Sequence, residues 1–286
     1  MINSLADVSH LGQQARRVET PCGAGALVWH VWGAGDRPPL LLLHGGSGSW
    51  THWVRNIAPL VAAGWQVLVP DMPGFGDSAA PPDGEDADVL PRWLDAGLQP
   101  LIGSAPLPVV GFSLGGLVAG LWTQVAPARI SRLVLVGSPS LSAERLQPLP
   151  LRRWQRAAPG ADREAVHRHN LLQLMLVDEA AATPLAVALH AANVERDRLR
   201  RRRLMLTAAL VPVLPALACP VHGIWGAEDV LYRHRLPLIG RVLATAPGFR
   251  SLDLLPQAGH WVQFEAAGAF NAALARILTG VEAFRR

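Results

Sequence analysis

The sequence contains no lysine, and all 26 of its basic residues are arginine. That absence removes a Schiff-base lysine, a P-loop lysine for phosphates and a serine–lysine catalytic pair. Cysteine is scarce as well. Cys22 and Cys219 lie far apart, and two such residues make no disulfide framework, so both read as free thiols. No apolar run approaches the roughly 20 residues that span a bilayer. The segment Met1-Ile2-Asn3-Ser4-Leu5-Ala6-Asp7 lacks the basic-then-apolar order of a secretion signal, so a cytoplasmic location is expected. The formal charge is only +4 over 286 residues, too small an excess to point to nucleic acid. His167 and His169 alternate without further clustered ligands, so no metal site is expected. No internal repeat or low-complexity linker interrupts the chain.

What is present is a chain half of whose residues are hydrophobic, enough for one large sheet domain with an insertion. An early pair of β-like segments, near residues 17–22 and 26–32, reads as an antiparallel hairpin at a sheet edge. Strands at Leu40, Val67, Val109 and Leu133 then alternate with helical stretches near residues 52–63, 89–98 and 114–125. Such alternation predicts an α/β fold, a mainly parallel twisted sheet with helices on both faces. It stops after Gly137 and resumes at Pro220. The arginine-, alanine- and leucine-rich stretch between has helical spacing and no strand candidate. The expected division is a core of residues 1–138 and 219–286 with an all-helical insertion at 139–218.

Gly111-Phe112-Ser113-Leu114-Gly115 follows the apolar run Leu107-Pro108-Val109-Val110 and precedes a helical stretch. This G-x-S-x-G element therefore stands in the strand-turn-helix context that gives it meaning. Flanking glycines permit a tight, strained turn that lifts Ser113 Oγ above the sheet edge, poised to attack a carbonyl. Such a serine needs a base, and the base an orienting acid. Val221-His222-Gly223-Ile224-Trp225 reads as a strand that leads into Gly226-Ala227-Glu228-Asp229, which makes Asp229 the candidate acid, with Glu228 the neighbouring alternative. Ser251-Leu252-Asp253-Leu254-Leu255 is the next strand, and the loop beyond it carries His260, the candidate base. Asp253, inside the strand, is less suited to the acid's role. The order serine, acid, histidine and the placement beyond strand ends agree with hydrolases on open parallel sheets.

The oxyanion needs two backbone donors. Leu114, after the serine, supplies one; Gly46, in His44-Gly45-Gly46-Ser47-Gly48 after the strand Leu40-Leu41-Leu42-Leu43, supplies the other. His44 reads as a structural residue that hydrogen-bonds this loop.

These pieces together resemble the α/β-hydrolase-fold enzymes: His44-Gly45-Gly46, then Asp71-Met72-Pro73-Gly74-Phe75-Gly76-Asp77-Ser78, the Ser113 elbow with Gly116, Gly226-Ala227-Glu228-Asp229, and Gly259-His260-Trp261. The resemblance implies that the helical insertion is a cap over the active site. Trp53-Val54-Arg55-Asn56-Ile57-Ala58-Pro59-Leu60-Val61-Ala62-Ala63-Gly64 and Gly259-His260-Trp261-Val262-Gln263-Phe264-Glu265 further resemble the meta-cleavage product hydrolases, which split carbon–carbon bonds in vinylogous diketo acids. Three positions depart from that subfamily: Ser47-Gly48-Ser49-Trp50 stands where it usually carries Pro-Gly-Ala, Phe112 where it usually has asparagine, and Ala258 where cysteine is frequent. The Phe112 elbow also resembles general esterases and cofactor-free perhydrolases.

A diketo-acid carboxylate would call for an arginine fork. The insertion offers Arg196, Arg198, Arg200, Arg201, Arg202 and Arg203. On a helix so dense a run would cover all sides, leaving most members solvated or paired with Glu195 and Asp197. Arg196 is the one selected, and Gly45, Trp50, Phe112 and Trp261 are the other expected substrate contacts. A dinucleotide-binding reading of Leu40 to Asp71 competes, but Thr51 replaces the third glycine of that fingerprint and the Ser113 elbow would be left without a role. A triad-bearing small-ligand receptor also stays open. The expectation is a cofactor-independent serine hydrolase acting on a small or medium carboxylic ester, or alternatively on a carbon–carbon bond. Its expected partner is a small-molecule carbonyl substrate, with a homo-oligomer possible and neither nucleic acid nor membrane involved.

Overall fold

The computed structural model describes residues 2–142, 148–199 and 201–280. Helix α1 (Leu5–Gln13) precedes the hairpin of β1 (Arg16–Cys22) and β2 (Gly25–Trp32). There follow β3 (Pro39–Leu43), α2 (Ile57–Ala62), β4 (Gln66–Asp71), α3 (Leu90–Ile102), β5 (Leu107–Phe112), α4 (Leu114–Val125) and β6 (Ile130–Val136). The insertion carries α5 (Ala161–Leu174) and α6 (Pro184–Glu195), and the core resumes with β7 (Val221–Gly226), α7 (Leu236–Leu243), β8 (Phe249–Leu255), α8 (Val262–Glu265) and α9 (Ala267–Thr279).

The eight strands form one sheet in the order β1-β2-β4-β3-β5-β6-β7-β8. β1 and β2 are antiparallel additions at one edge, and the remaining neighbours are parallel. Residue patterns follow position. In β3 the four leucines are all buried, as are all six residues of β4 and of β7, because helices cover both faces of a central parallel strand. The edge strands β1 and β8 alternate or stay half-exposed. On one face α4, nine of whose twelve residues are buried, packs on β5 and β6; on the other, α9 reaches β7 and β8. No helix among the described residues is long and apolar enough to cross a membrane.

The helical stretch expected near residues 52–63 is two pieces, a 3-10 turn at Trp50–Trp53 and the short α2. The insertion is also less regular than expected. Among its described residues two α-helices are joined by 3-10 turns, and no strand occurs. The arginine run lies outside any helix: α6 ends at Glu195, and Arg196 is its C-cap. The run's main chain bonds to the core instead of to itself in a helix, through Arg198 N–H to Gly74 O at 2.9 Å and Arg203 N–H to Asp86 Oδ2 at 2.7 Å. Arg200 lies outside the described residues.

Candidate active site

Parallel strands deliver the loops beyond their carboxyl ends to one crevice, and β3, β5, β6, β7 and β8 each contribute to it here. Ser113 sits between β5 and α4 at φ 50°, ψ −118°, a left-handed conformation that costs a non-glycine residue on the order of 1–3 kcal/mol. The neighbouring glycines serve close approach rather than this turn angle. A Cβ on Gly111 would stand 2.5 Å from Gly115 O, and one on Gly115 would stand 2.5 Å from Leu43 O. The strain is thus carried by the serine itself, and the tight contacts around it hold it there.

His260 Nε2 lies 3.0 Å from Ser113 Oγ, and its Nδ1 lies 2.8 Å from Asp229 Oδ2. Ser113 is 147 residues from His260 and Asp229 is 31 from it, and two hydrogen bonds join the three segments. The pattern requires Nδ1–H to donate to the carboxylate, which leaves Nε2 free to accept the serine proton. Asp229 is fully buried, and its other oxygen accepts Leu231 N–H at 3.0 Å. Gly137, just past β6, sits at φ 52°, which strains any other residue, and a Cβ there would also stand 3.2 Å from His260 Nδ1 and 3.3 Å from Asp229 Oδ2. Glu228 instead faces Arg233 at the surface, and Asp253 pairs with Arg276.

Among the described residues the N–H groups of Gly46 and Leu114 bond to no protein acceptor, which leaves both available to a ligand. His44 bonds to the Gly45 carbonyl at 2.7 Å and accepts Met72 N–H at 2.9 Å, a structural use of its ring.

The expected substrate contacts divide. Gly45 and Phe112 adjoin the serine: a Cβ on Gly45 would stand 2.9 Å from the Phe112 ring and 3.2 Å from Ser113 Cβ. Phe112 is fully buried, its ring 5.0 Å from that of His260, so it forms apolar flooring. Trp261 is buried behind the site, stacked on Phe264 at 4.1 Å. Trp50 is a correction. It packs with His30 and Trp32, and its N–H donates to Asp71, because the 3-10 turn swings it toward α1 and the sheet edge.

Arg196 is a second correction. It pairs with Asp77 on the outer surface, its side chain 46% exposed, since the α6 C-cap directs it away from the serine. Arg202 comes to the site instead. Its Nη1 would lie 3.5 Å from a Cβ on Gly46 and binds Asp197 Oδ2 at 2.6 Å, while Nη2 reaches Ser47 Oγ at 3.3 Å. Sequence spacing could not single it out from five neighbours of the same kind.

Other contributors carried no sequence signal. Glu265 accepts Gly259 N–H at 2.6 Å and the amides of Val177 and Asp178 at 2.8 and 2.9 Å, tying the His260 loop to the insertion. Asn193 on α6 bonds Ser49 and Thr51. These contacts join the insertion to the loops that carry Ser49, Thr51 and His260, and Ser113 and His260 are only 5% and 3% exposed.

The fold agrees with comparisons to known proteins. The chain is 29% identical over 256 residues to the 2-hydroxy-6-oxo-6-phenylhexa-2,4-dienoate hydrolase of Burkholderia cepacia, covering 85% of this chain and 88% of that protein. Among solved structures, the carboxylesterase CesB of Bacillus subtilis superposes with a TM-score of 0.79 at 20% identity, over 96% of this chain and 95% of that one. The meta-cleavage product hydrolase CumD of Pseudomonas fluorescens IP01 gives 0.74 at 20% identity, over 92% and 98%. At that identity the structural likeness is one of fold. The family described as alpha/beta hydrolase fold matches residues 38–182, and with the sheet order and the crevice geometry in agreement, the chain belongs to the alpha/beta hydrolase fold family.

Proposed function

We propose that this hydrolase cleaves a small or medium carboxylic ester through an acyl-enzyme on Ser113. The observation that carries the reading is the Asp229–His260–Ser113 hydrogen-bond chain at a strained strand-to-helix elbow. Ser113 Oγ attacks the carbonyl carbon as its proton passes to His260 Nε2, and Asp229 stabilises the imidazolium through Nδ1–H. The Gly46 and Leu114 amides hold the oxyanion. The tetrahedral adduct collapses as His260 returns the proton to the leaving alcohol. Water, deprotonated by His260, then releases the acid and regenerates the serine. No step calls for a cofactor.

A second reading, hydrolysis of a carbon–carbon bond in a vinylogous diketo acid, is favoured by two observations. The Burkholderia cepacia relative is named for such a substrate, and Arg202 brings a guanidinium beside Gly46, where it would meet an acid group. Against it stands Phe112, an apolar ring where a polar contact to the oxo-acid end would serve. Because a carbanion leaves in that reaction, the dienol must first ketonise, which asks for a proton donor that the ester reaction does not need.

The test is kcat/KM for 4-nitrophenyl butyrate and for 2-hydroxy-6-oxo-6-phenylhexa-2,4-dienoate on the same preparation. The ester reading expects turnover of the first with little or none of the second. A preference of about 100-fold or more for the dienoate replaces it with the second reading. Turnover of neither, with no labelling of Ser113 by a fluorophosphonate, leaves a ligand-binding protein.

A further inference from the structure

Gly45 is held from both sides by imidazoles. His44 Nδ1–H donates to its carbonyl at 2.7 Å, a tautomer fixed because His44 Nε2 accepts Met72 N–H at 2.9 Å. On the other side Gly45 N–H donates to His52 Nδ1 at 3.2 Å, so a neutral His52 carries its proton on Nε2. The two neighbouring histidines thus stand in opposite tautomers around one glycine.

A peptide unit is planar, and its C=O and N–H point in opposite directions. The carbonyl of Gly45 and the N–H of Gly46 belong to one such unit, so the bond from His44 sets the direction of the Gly46 amide. The bond to His52 sets the unit before it. Gly45 needs this restraint. Lack of a side chain lets it sit against the Phe112 ring and Ser113, but also leaves its backbone the least restricted of any residue.

His52 is itself firmly seated. It is 2% exposed, with ring centroids of Trp261 and Phe112 at 5.2 and 5.4 Å. Its carbonyl accepts Trp261 Nε1–H at 3.0 Å, and a Cβ on Gly48 would stand 2.4 Å from its ring. Burial, and secondarily the nearby rings of His44, His190 and His260, hold its pKa well below the ordinary histidine value, which keeps Nδ1 an acceptor.

Resting on the hydrolase reading above, we propose that His52 is a positioning residue for the oxyanion: by accepting Gly45 N–H while His44 holds the Gly45 carbonyl, it aims the Gly46 amide at the oxygen of the tetrahedral adduct. Removing an oxyanion donor outright costs about 10²- to 10³-fold in rate. Releasing one side of its support is expected to cost a fraction of that.

His52→Leu and His52→Asn test the assignment, because the two replacements are nearly the same size and only asparagine offers an acceptor to Gly45. The acylation rate constant with 4-nitrophenyl butyrate is expected to fall roughly 10- to 100-fold in His52→Leu, with KM nearly unchanged, and to stay within about 5-fold of wild type in His52→Asn. Wild-type acylation by His52→Leu, or an asparagine variant as slow as the leucine one, overturns the proposal. Nitrogen-15 NMR of histidine-labelled wild type needs neither a variant nor turnover, so it separates failure here from failure of the hydrolase reading. His52 protonated at Nε2 and His44 at Nδ1 is expected, and a proton on His52 Nδ1 overturns the assignment.

Discussion

Met175, just past the end of the insertion helix α5, accepts a 2.8 Å hydrogen bond from the main-chain N–H of Trp261, the residue that follows His260. The candidate base is thus coupled to the insertion as well as to the sheet. Glu265 reinforces the link by accepting three amides, one from the His260 loop and two from the insertion. Charge-assisted bonds to backbone are among the stronger kind.

Glu265→Ala is therefore expected to lose on the order of 2 kcal/mol of stability, chiefly because the part-buried Gly259 amide is left without an acceptor while the amides of the exposed Val177 and Asp178 can turn to water, and to lower kcat about 10-fold by loosening His260. Urea unfolding and steady-state kinetics check the two parts separately. Unchanged kcat in a destabilised variant would confine Glu265 to holding the fold.

The arginine run gives a contrast. Arg196→Ala removes a half-exposed ion pair with Asp77, and is expected to change stability by no more than about 0.5 kcal/mol and kinetics by no more than about 2-fold. Arg202→Ala strips a 20% exposed guanidinium from Asp197 and Ser47 beside Gly46. It is expected to raise KM at least about 10-fold for a substrate that carries a carboxylate, and much less for a neutral ester. Equal effects on both substrates would argue against a charge role for Arg202.

Stability should depend on pH through the insertion. Burial, with the adjacent His167 ring, lowers the pKa of His190 to about 4 from an ordinary 6.5. Between those values the unfolded chain binds a proton that the folded α6 refuses, so this contribution is full above pH 6.5 and is lost as pH falls toward 4. About 3 kcal/mol is involved. Thermal unfolding between pH 7 and 4.5 should show a falling midpoint, with a shallower slope in His190→Gln. A residual slope is expected because His222 on β7 is lowered to about 4 as well, by burial and by Arg132 and Arg250.

Ser113, Asp229 and His260 were legible in the sequence because each follows a recognisable strand, and parallel strands send such loops to one crevice. The same logic located the edge hairpin and α4, where local pattern and tertiary environment agree. It failed where partners are remote. Asp197, five positions away, pairs with Arg202 but stands just as near to Arg196 in the chain, and Ser47, 155 positions away, completes the selection. His52 stands beside aromatic residues that read equally well as core, and its partner Gly45 acquires meaning only once the loop is folded. Trp50 misled because proximity to a motif in sequence was equated with proximity to the site. The 3-10 turn reverses that inference by directing the ring toward His30 and Trp32.

Asp229→Asn should keep the geometry of the buried site while removing the carboxylate that fixes the His260 tautomer. By analogy with other Asp–His–Ser sites, kcat is expected to fall on the order of 10⁴-fold. A loss below about 10-fold would move the acid's role elsewhere, with Glu228 as the nearest carboxylate to test.

The most direct measurement is mass spectrometry of the enzyme quenched within milliseconds of mixing with 4-nitrophenyl butyrate. An acyl-enzyme on Ser113 predicts an added butyryl mass on the peptide containing that residue, formed in step with a burst of nitrophenolate, and neither adduct nor burst in Ser113→Ala. Steady ester turnover with no adduct on the wild type, undiminished in Ser113→Ala, would contradict it.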